Sequence, residues 1–322
     1  MYNYKKIADY LANLDNNTSI YITGHKNPDY DSICSCVSLC KALTYLGKKA
    51  NVLLANEQWS ILDWSNTKFC FKENIEEQNY VFIALDLNDL DRLGVYEKQY
   101  LNAKIKINID HHVGNTTNAD VLLSLPKLSS TCEMVYNIIE KLNKNIIDNS
   151  ISELLYAGIM TDTNGFSRRL TNKTLIIAQK LINNGIDYSH INKATHTTRT
   201  EIEYKALAYL INHICYCNNF CYVIADKSLE IFKNLSINSL NKKVAEDLRK
   251  LNFLHTCFII TLNLDKSITC KVMTDKTSLI PANEIATHFG GGGHKNEAGF
   301  TVKNISPSEL IDKLDKYLNK NY

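Results

Sequence analysis

SIYITGHKNPDYDSICSCVSLC, residues 19–40, decides how the rest of the chain is read. Its first part, SIYITGH (19–25), has the apolar, β-branched character of a strand. A turn around Pro28 follows, and Ser32 then opens a helix. The apolar face of that helix is Ile33, Cys36, Val37 and Cys40, at the 3, 4, 7 spacing of helical periodicity, and Gly47 closes it. The junction is crowded with polar groups, for His25, Asp29 and Asp31 fall within seven positions of one another. Such groups are costly to bury unless something compensates them. The stretch is therefore either a solvated turn or one side of a metal site.

The same alternation continues. NVLLA (51–55), YVFIALD (80–86) and KIKINID (104–110) read as strands, and SSTCEMVYNIIEKLN (129–143), ISELLYAGIMTDT (151–163) and TLIIAQKLINNG (174–185) as helices. Strands alternating with helices imply an α/β fold with a doubly wound parallel sheet. That domain is expected over 1–185. IDYSHINKATHTTRT (186–200) loses strong periodicity, and a linker is placed at 186–204. A helix, EIEYKALAYLINHI (201–214), leads into a smaller C-terminal α/β domain at 205–322, with a cleft between the two. Its strands are FCYVIAD (220–226), TCFIITLNL (256–264) and SITCKVMTD (267–275), and KVAEDLRKL (243–251) reads as a helix.

Composition narrows the function class. The chain has 322 residues, 45% of them hydrophobic, and a net charge of +2. That suits two ordinary cores and argues against a protein that coats long nucleic acid, which would show a strong basic excess. A small anionic substrate in a local pocket remains compatible. No apolar run approaches the ~18 residues of a membrane span, and the N-terminus is too polar for a signal peptide. The expected location is the cytoplasm, with no membrane partner. The ten cysteines are then expected to be free thiols. The trios Cys34, Cys36, Cys40 and Cys215, Cys217, Cys221 lack C-x-x-C pairs and read as packing residues.

The chemistry lies where the apolar runs end. The first ends at His25, followed by Asp29 and Asp31. The third ends at Asp86, the fourth at Asp110, His111 and His112, and the helical stretch 151–163 at Asp162. In open α/β sheets ligands bind beyond the carboxyl ends of the strands. So many carboxylates at one edge would repel one another unless divalent cations neutralised them. Mixed carboxylate and imidazole donors without thiolate suit manganese, with magnesium, iron or cobalt as alternatives. Two such ions roughly 3.5–4 Å apart are a known arrangement for in-line displacement at phosphorus. A second signal is HFGGGGHKNEAGF (288–300). Gly290, Gly291, Gly292 and Gly293, followed by His294, suit a chain lying against an anion. A plain flexible loop is the alternative.

His25-x-x-x-Asp29-x-Asp31, the D-L-N-D-L-D-R-L-G run from Asp86, the D-H-H at 110–112 and the T-D-T-N-G-F run around Asp162 resemble the four motifs of the DHH phosphoesterase family. The G-G-G-G-H run resembles its DHH-associated C-terminal domain. Within the family the chain looks most like the short standalone bacterial enzymes that degrade nano-RNA and dephosphorylate 3′-phosphoadenosine 5′-phosphate. The resemblance implies one manganese held by His25, Asp29 and Asp86, and a second held by Asp31, Asp86, His111 and Asp162. It gives Asp110 an orienting role, His112 the scissile phosphate, and the glycines with His294 the distal part of the substrate. The implied partners are short RNA or a small nucleotide, and a homodimer is compatible. Hydrolysis of cyclic dinucleotides or their linear products uses the same core, and a non-catalytic nucleotide sensor is the alternative of another class. Four positions depart from the pattern: Tyr30 and Cys34 where glycine is usual, Met273 near a usual substrate-binding arginine, and Glu297 for alanine. Lys271, Lys276 or Lys295 could restore the missing positive charge.

Overall fold

The computed structural model describes residues 4–54, 61–65, 67–195, 201–232, 235, 244, 255–275 and 278–321, except the side chains of His294 and Asn321. The chain divides into two compact units, Met1–Thr198 and Arg199–Tyr322.

The first unit runs α1 (Tyr4–Ala12), β1 (Ser19–Thr23), α2 (Tyr30–Tyr45), β2 (Lys49–Leu53), β3 (Phe71–Lys72), β4 (Tyr80–Leu85), α3 (Glu97–Asn102), β5 (Ile105–Asp110), β6 (Val121–Ser124), α4 (Thr131–Asn143), α5 (Asn149–Asp162), α6 (Asn172–Asn183) and α7 (Tyr188–Thr195). Its six strands pair in the order β3-β2-β1-β4-β5-β6, with every pairing parallel. This is the doubly wound order, which reverses direction between β1 and β4. The sequence of β4 shows why the sheet is sandwiched. All six residues of YVFIAL are buried. Val81, Ile83 and Leu85 join the large core made with the helices, while Tyr80, Phe82 and Ala84 join the smaller core that includes Tyr96 and Tyr100. A strand covered on both faces loses the polar alternation of a half-exposed one.

The second unit contains α8 (Glu201–Asn212), β7 (Cys215–Tyr216), β8 (Cys221–Asp226), β9 (Thr256–Leu262), β10 (Ile268–Thr274), α9 (Ala282–His288), β11 (Gly292–His294), β12 (Glu297–Val302) and α10 (Pro307–Asn321). Its sheet, in the order β11-β12-β10-β9-β8-β7, is mixed, with only β8 and β9 parallel. Cys221, Val223, Ile259 and Met273 pack with the α8 residues Ala206, Leu207 and Leu210. Phe258, Ile260, Val272 and Phe300 pack with Ile285 of α9 and Leu310, Leu314 and Leu318 of α10. Among the described residues no helix is long and apolar enough to cross a membrane.

Three readings from the sequence can be set beside the structure. The stretch 186–204 is not irregular throughout, because it holds α7 and the start of α8. Ile186 and Ile191 are buried in the first unit's core, too few apolar residues to register as a period. Residues 196–200 lie outside the described set, as does the expected helix 243–251 apart from Val244. The two cysteine trios also differ. Cys34, Cys36 and Cys40 are all buried, whereas Cys215 is exposed and Cys217 half-buried beside buried Cys221. Burial pushes the Cys34 and Cys36 thiols well up from their usual range, which suits inert packing groups.

Candidate metal centre

The polar groups singled out at the ends of β1, β4, β5 and α5 come together. His25 Nε2 lies 3.6 Å from Asp86 Oδ2 and 4.0 Å from Asp29 Oδ1. His111 Nε2 lies 3.4 Å from Asp86 Oδ1, 3.5 Å from Asp162 Oδ2 and 3.8 Å from Asp31 Oδ2. Three groups of donors therefore each fit within 4.8 Å: His25 with Asp29 and Asp86, Asp31 with His111 and Asp162, and Asp86 with His111 and His112. Asp86 belongs to two of the three.

Local structure explains each placement. Asp29 is the N-cap of α2, and its carboxylate accepts from the Ser32 amide at 3.1 Å. Asp31 sits in the first turn of α2, where both oxygens are already engaged. They accept from the backbone N–H groups of Thr131 and Cys132 at 2.7 and 2.8 Å. Those amides are the first two of α4, so a helix N-terminus supports this anion. Asp86 follows the last residue of β4 and has a left-handed backbone, φ 60°, a conformation that side chains other than Gly, Asn and Asp rarely adopt. The Thr131 hydroxyl donates to it at 3.0 Å. Asp162 is the last residue of α5, where the helix dipole disfavours a carboxylate. Arg169 Nη1 is 3.5 Å from it.

Electrostatics test whether divalent cations fit. Asp31 and Asp86 are each 2% exposed. Burial first, then the neighbouring Asp86 carboxylate, holds Asp31 well above the usual range. Burial first, then Asp29, does the same to Asp86. Among the described residues no lysine or arginine pairs with either. Burial pushes the His25 imidazole down to about 4, so it stands neutral with a lone pair to offer. Buried oxygen donors that repel one another, beside a neutral imidazole and without thiolate, fit hard divalent cations.

Asp110 is fully buried, and its Oδ1 is 2.7 Å from His112 Nδ1. Burial alone would raise its pKa, but the hydrogen bond with His112 and the charges of both histidines outweigh this and hold it below the usual value. His112 is half-buried, with Nδ1 3.8 Å from Asp86 Oδ1.

The spacing of the helices depends on Gly158 in α5. A Cβ there would lie 2.2 Å from Cys132 Sγ and 3.2 Å from the Asp31 Cα. The close approach of α5 to α2 and α4 thus sets where Asp162 stands relative to Asp31.

Two contributors were not singled out from sequence. Thr131 had a signal, because Ser130 followed by Glu133 marks a helix start, and helix starts attract anions. Arg169 had none, since its reach to Asp162 depends on left-handed residues at Asn164, Gly165, Phe166 and Arg169 itself.

The glycine run lies in the second unit, and much of it is explained by its own sheet. A Cβ on Gly291 would fall 2.2 Å from the Gly299 oxygen, and one on Gly293 2.5 Å from the Ala298 Cα. Gly290 has φ 80° just after α9. Gly290 and Gly292 both have open space where a side chain would go, and of the four Gly292 alone has neither a close contact nor a positive φ. Met273 is buried, in the position opposite Glu297 on β12. Lys271 Nζ is 2.7 Å from Glu297 Oε1, so it offsets that acid. Lys295 is exposed, and Lys276 lies outside the described residues. Tyr30 is half-buried against the large core.

Residues 19–159 match the DHH family, N-terminal domain. This stretch is a DHH-family domain. The full chain is 24% identical over 314 residues to the probable bifunctional oligoribonuclease and PAP phosphatase NrnA of Streptococcus mutans, covering 96% of this chain and 98% of that one. It is 26% identical over 318 residues to the cyclic-di-AMP phosphodiesterase GdpP of Bacillus subtilis, covering 92% of this chain but 47% of that one. Among solved structures, an exopolyphosphatase-related protein from Bacteroides fragilis superposes with a TM-score of 0.84 at 22% identity, over 98% of this chain and 96% of that one. The chain that carries this domain is a metal-dependent phosphoesterase, a hydrolase.

Proposed function

We propose that this phosphoesterase hydrolyses short oligoribonucleotides to mononucleotides, 3′-phosphoadenosine 5′-phosphate, or both, and that manganese is the working metal. The observation that carries the metal assignment is the place of Asp86, whose two carboxylate oxygens lie 3.6 Å from His25 Nε2 and 3.4 Å from His111 Nε2. His25, Asp29 and Asp86 would hold one ion, and Asp31, Asp86, His111 and Asp162 the other. When bound, the ions supply Lewis-acid charge and a water acidic enough to attack phosphorus at neutral pH.

The chain's own groups do the rest. Asp110 holds the His112 ring through Nδ1, which leaves Nε2 to meet a phosphate oxygen or to protonate the leaving alkoxide. Thr131 and the α4 amides fix Asp86 and Asp31 before any ligand arrives, so little reorganisation is needed during reaction. In the second unit, Gly292 and His294 would contact the distal part of the substrate. Likeness to the Streptococcus protein along nearly the whole of both chains supports the RNA and nucleotide reading. The likeness to GdpP supports a second one, hydrolysis of cyclic or linear dinucleotides. We place the activity in the cytoplasm, with short RNA or small nucleotides as its partners.

The test is a substrate panel with manganese, magnesium and cobalt: a ribodinucleotide, 3′-phosphoadenosine 5′-phosphate, a cyclic dinucleotide and pyrophosphate. Release of mononucleotide from the first two, lost on chelation, is expected. Turnover confined to the cyclic compound would shift the assignment to the second reading. Binding without product from any of them would make the protein a sensor and refute the proposal.

A further inference from the structure

The second unit carries a groove of about 480 Å³ lined by His288, Phe289, Lys313, Lys316, Tyr317 and Lys320. Lys313, Lys316, Tyr317 and Lys320 follow the 3, 4, 7 spacing of one helical face of α10, and Leu310, Leu314 and Leu318 fill the buried face. The helix acids Asp312 and Asp315 occur at other positions of the turn. Glu309 pairs with Lys313 at 3.0 Å, and Glu284 lies near Tyr317. Among the described residues no ion pair involves Lys316 or Lys320. Beside these cations stands an aromatic platform. The exposed His288 stacks on Tyr317 with centroids 4.1 Å apart and planes at 27°. Phe289 in turn stacks on Phe300 at 4.9 Å.

Cations beside a stacked ring pair are the two features that hold single-stranded nucleic acid without sequence preference. We propose that this groove is an accessory subsite for single-stranded RNA, in which Lys316 and Lys320 contact backbone phosphates and a base stacks on His288. Phe289 is followed directly by the glycine run, so a strand held at Gly292 has the groove next to it along the chain. The groove would then favour longer oligonucleotides. This rests on the RNA reading given above.

The experiment uses full-length protein bearing Asp86→Asn to prevent hydrolysis, with labelled ribopentanucleotide and ribodinucleotide in an anisotropy assay. Lys316→Gln with Lys320→Gln should weaken the pentanucleotide roughly tenfold and leave the dinucleotide unchanged. Loss of two phosphate contacts on a single strand should lower the slope of log affinity against log salt by roughly 1.4. His288→Ala should weaken the pentanucleotide at least about fivefold, and Lys316→Arg with Lys320→Arg should restore binding. Equal loss on both lengths, no loss on either, or displacement by inorganic tripolyphosphate that is insensitive to His288→Ala would overturn the subsite. If the groove binds RNA as described but the wild-type protein cleaves none, the hydrolytic reading fails and the groove stands.

Discussion

Replacing Asp86 by Asn should have opposite effects on the protein with and without metal. The substitution is nearly isosteric. Asn tolerates the left-handed backbone at φ 60°, and its amide oxygen can still accept from the Thr131 hydroxyl, 3.0 Å away in the wild type. What changes is charge. The Asp29 and Asp86 donor atoms lie within 4.8 Å, and two unit charges at that distance repel by about 3.5 kcal/mol at an effective dielectric constant of ~20. The Asp29 side chain is 64% exposed, so screening cuts the useful figure to about 1–2 kcal/mol. Metal-free Asp86→Asn should therefore melt higher than metal-free wild type, by roughly 3–6 °C for a unit of this size. Metal reverses the order. At one hundred times its dissociation constant a single ion stabilises by about 2.7 kcal/mol, so wild type should gain roughly 5–10 °C on adding manganese. The variant should gain little, having lost a ligand common to two donor groups. Differential scanning calorimetry with a chelator and then with manganese reads all four states. A metal-free variant that melts well below wild type and still gains the full manganese shift would refute both the repulsion and the shared-ligand arguments.

Other outcomes follow from single contacts. Asp162→Ala should lower kcat/KM by roughly a thousandfold, the order expected for losing a metal ligand, with unchanged far-ultraviolet circular dichroism. Gly291→Ala should cost about 1–3 kcal/mol of stability through its clash with Gly299, whereas Gly292→Ala should leave the melting temperature alone and raise KM; unchanged KM would remove Gly292 from the substrate site. Away from the centre, the hydrogen bond from the Tyr21 hydroxyl leads the causes that hold the Glu77 carboxyl down at about 2. Its folded value lies below the unfolded one, so its stabilisation is present above pH ~4.5 and is lost as pH falls toward 2. Glu77→Gln should flatten the acid limb of melting temperature against pH, and an identical limb in both proteins would contradict the assignment.

The fold was legible where residue patterns map directly onto geometry. YVFIALD could be placed because a six-residue apolar run ending in an acid is what a twice-covered parallel strand looks like, and parallel strands deliver their ends to one edge. That is why His25, Asp86 and His111 could be grouped without coordinates. The edge strands β3 and β6 escaped notice because two and four residues are too few to show a period. The support of Asp31 by α4 was also hidden. It joins residues 100 positions apart through backbone amides, which carry no sequence identity. The glycine run was legible as a backbone requirement, but its cause at Gly291 and Gly293 is contact with β12, and only coordinates separate that from a ligand.

Gly158 has a consequence of its own. It carries no functional group, yet it acts as a gauge for the whole centre, because the seam of three helices can close only as far as the smallest residue in it allows. One added methyl group would act as a wedge, opening the gap that Asp31 and Asp162 must span without altering any ligand. Ions that need short, uniform bonds, such as magnesium, would suffer before larger and more tolerant ones, so the identity of a side chain with no donor atom could decide which metal the enzyme accepts.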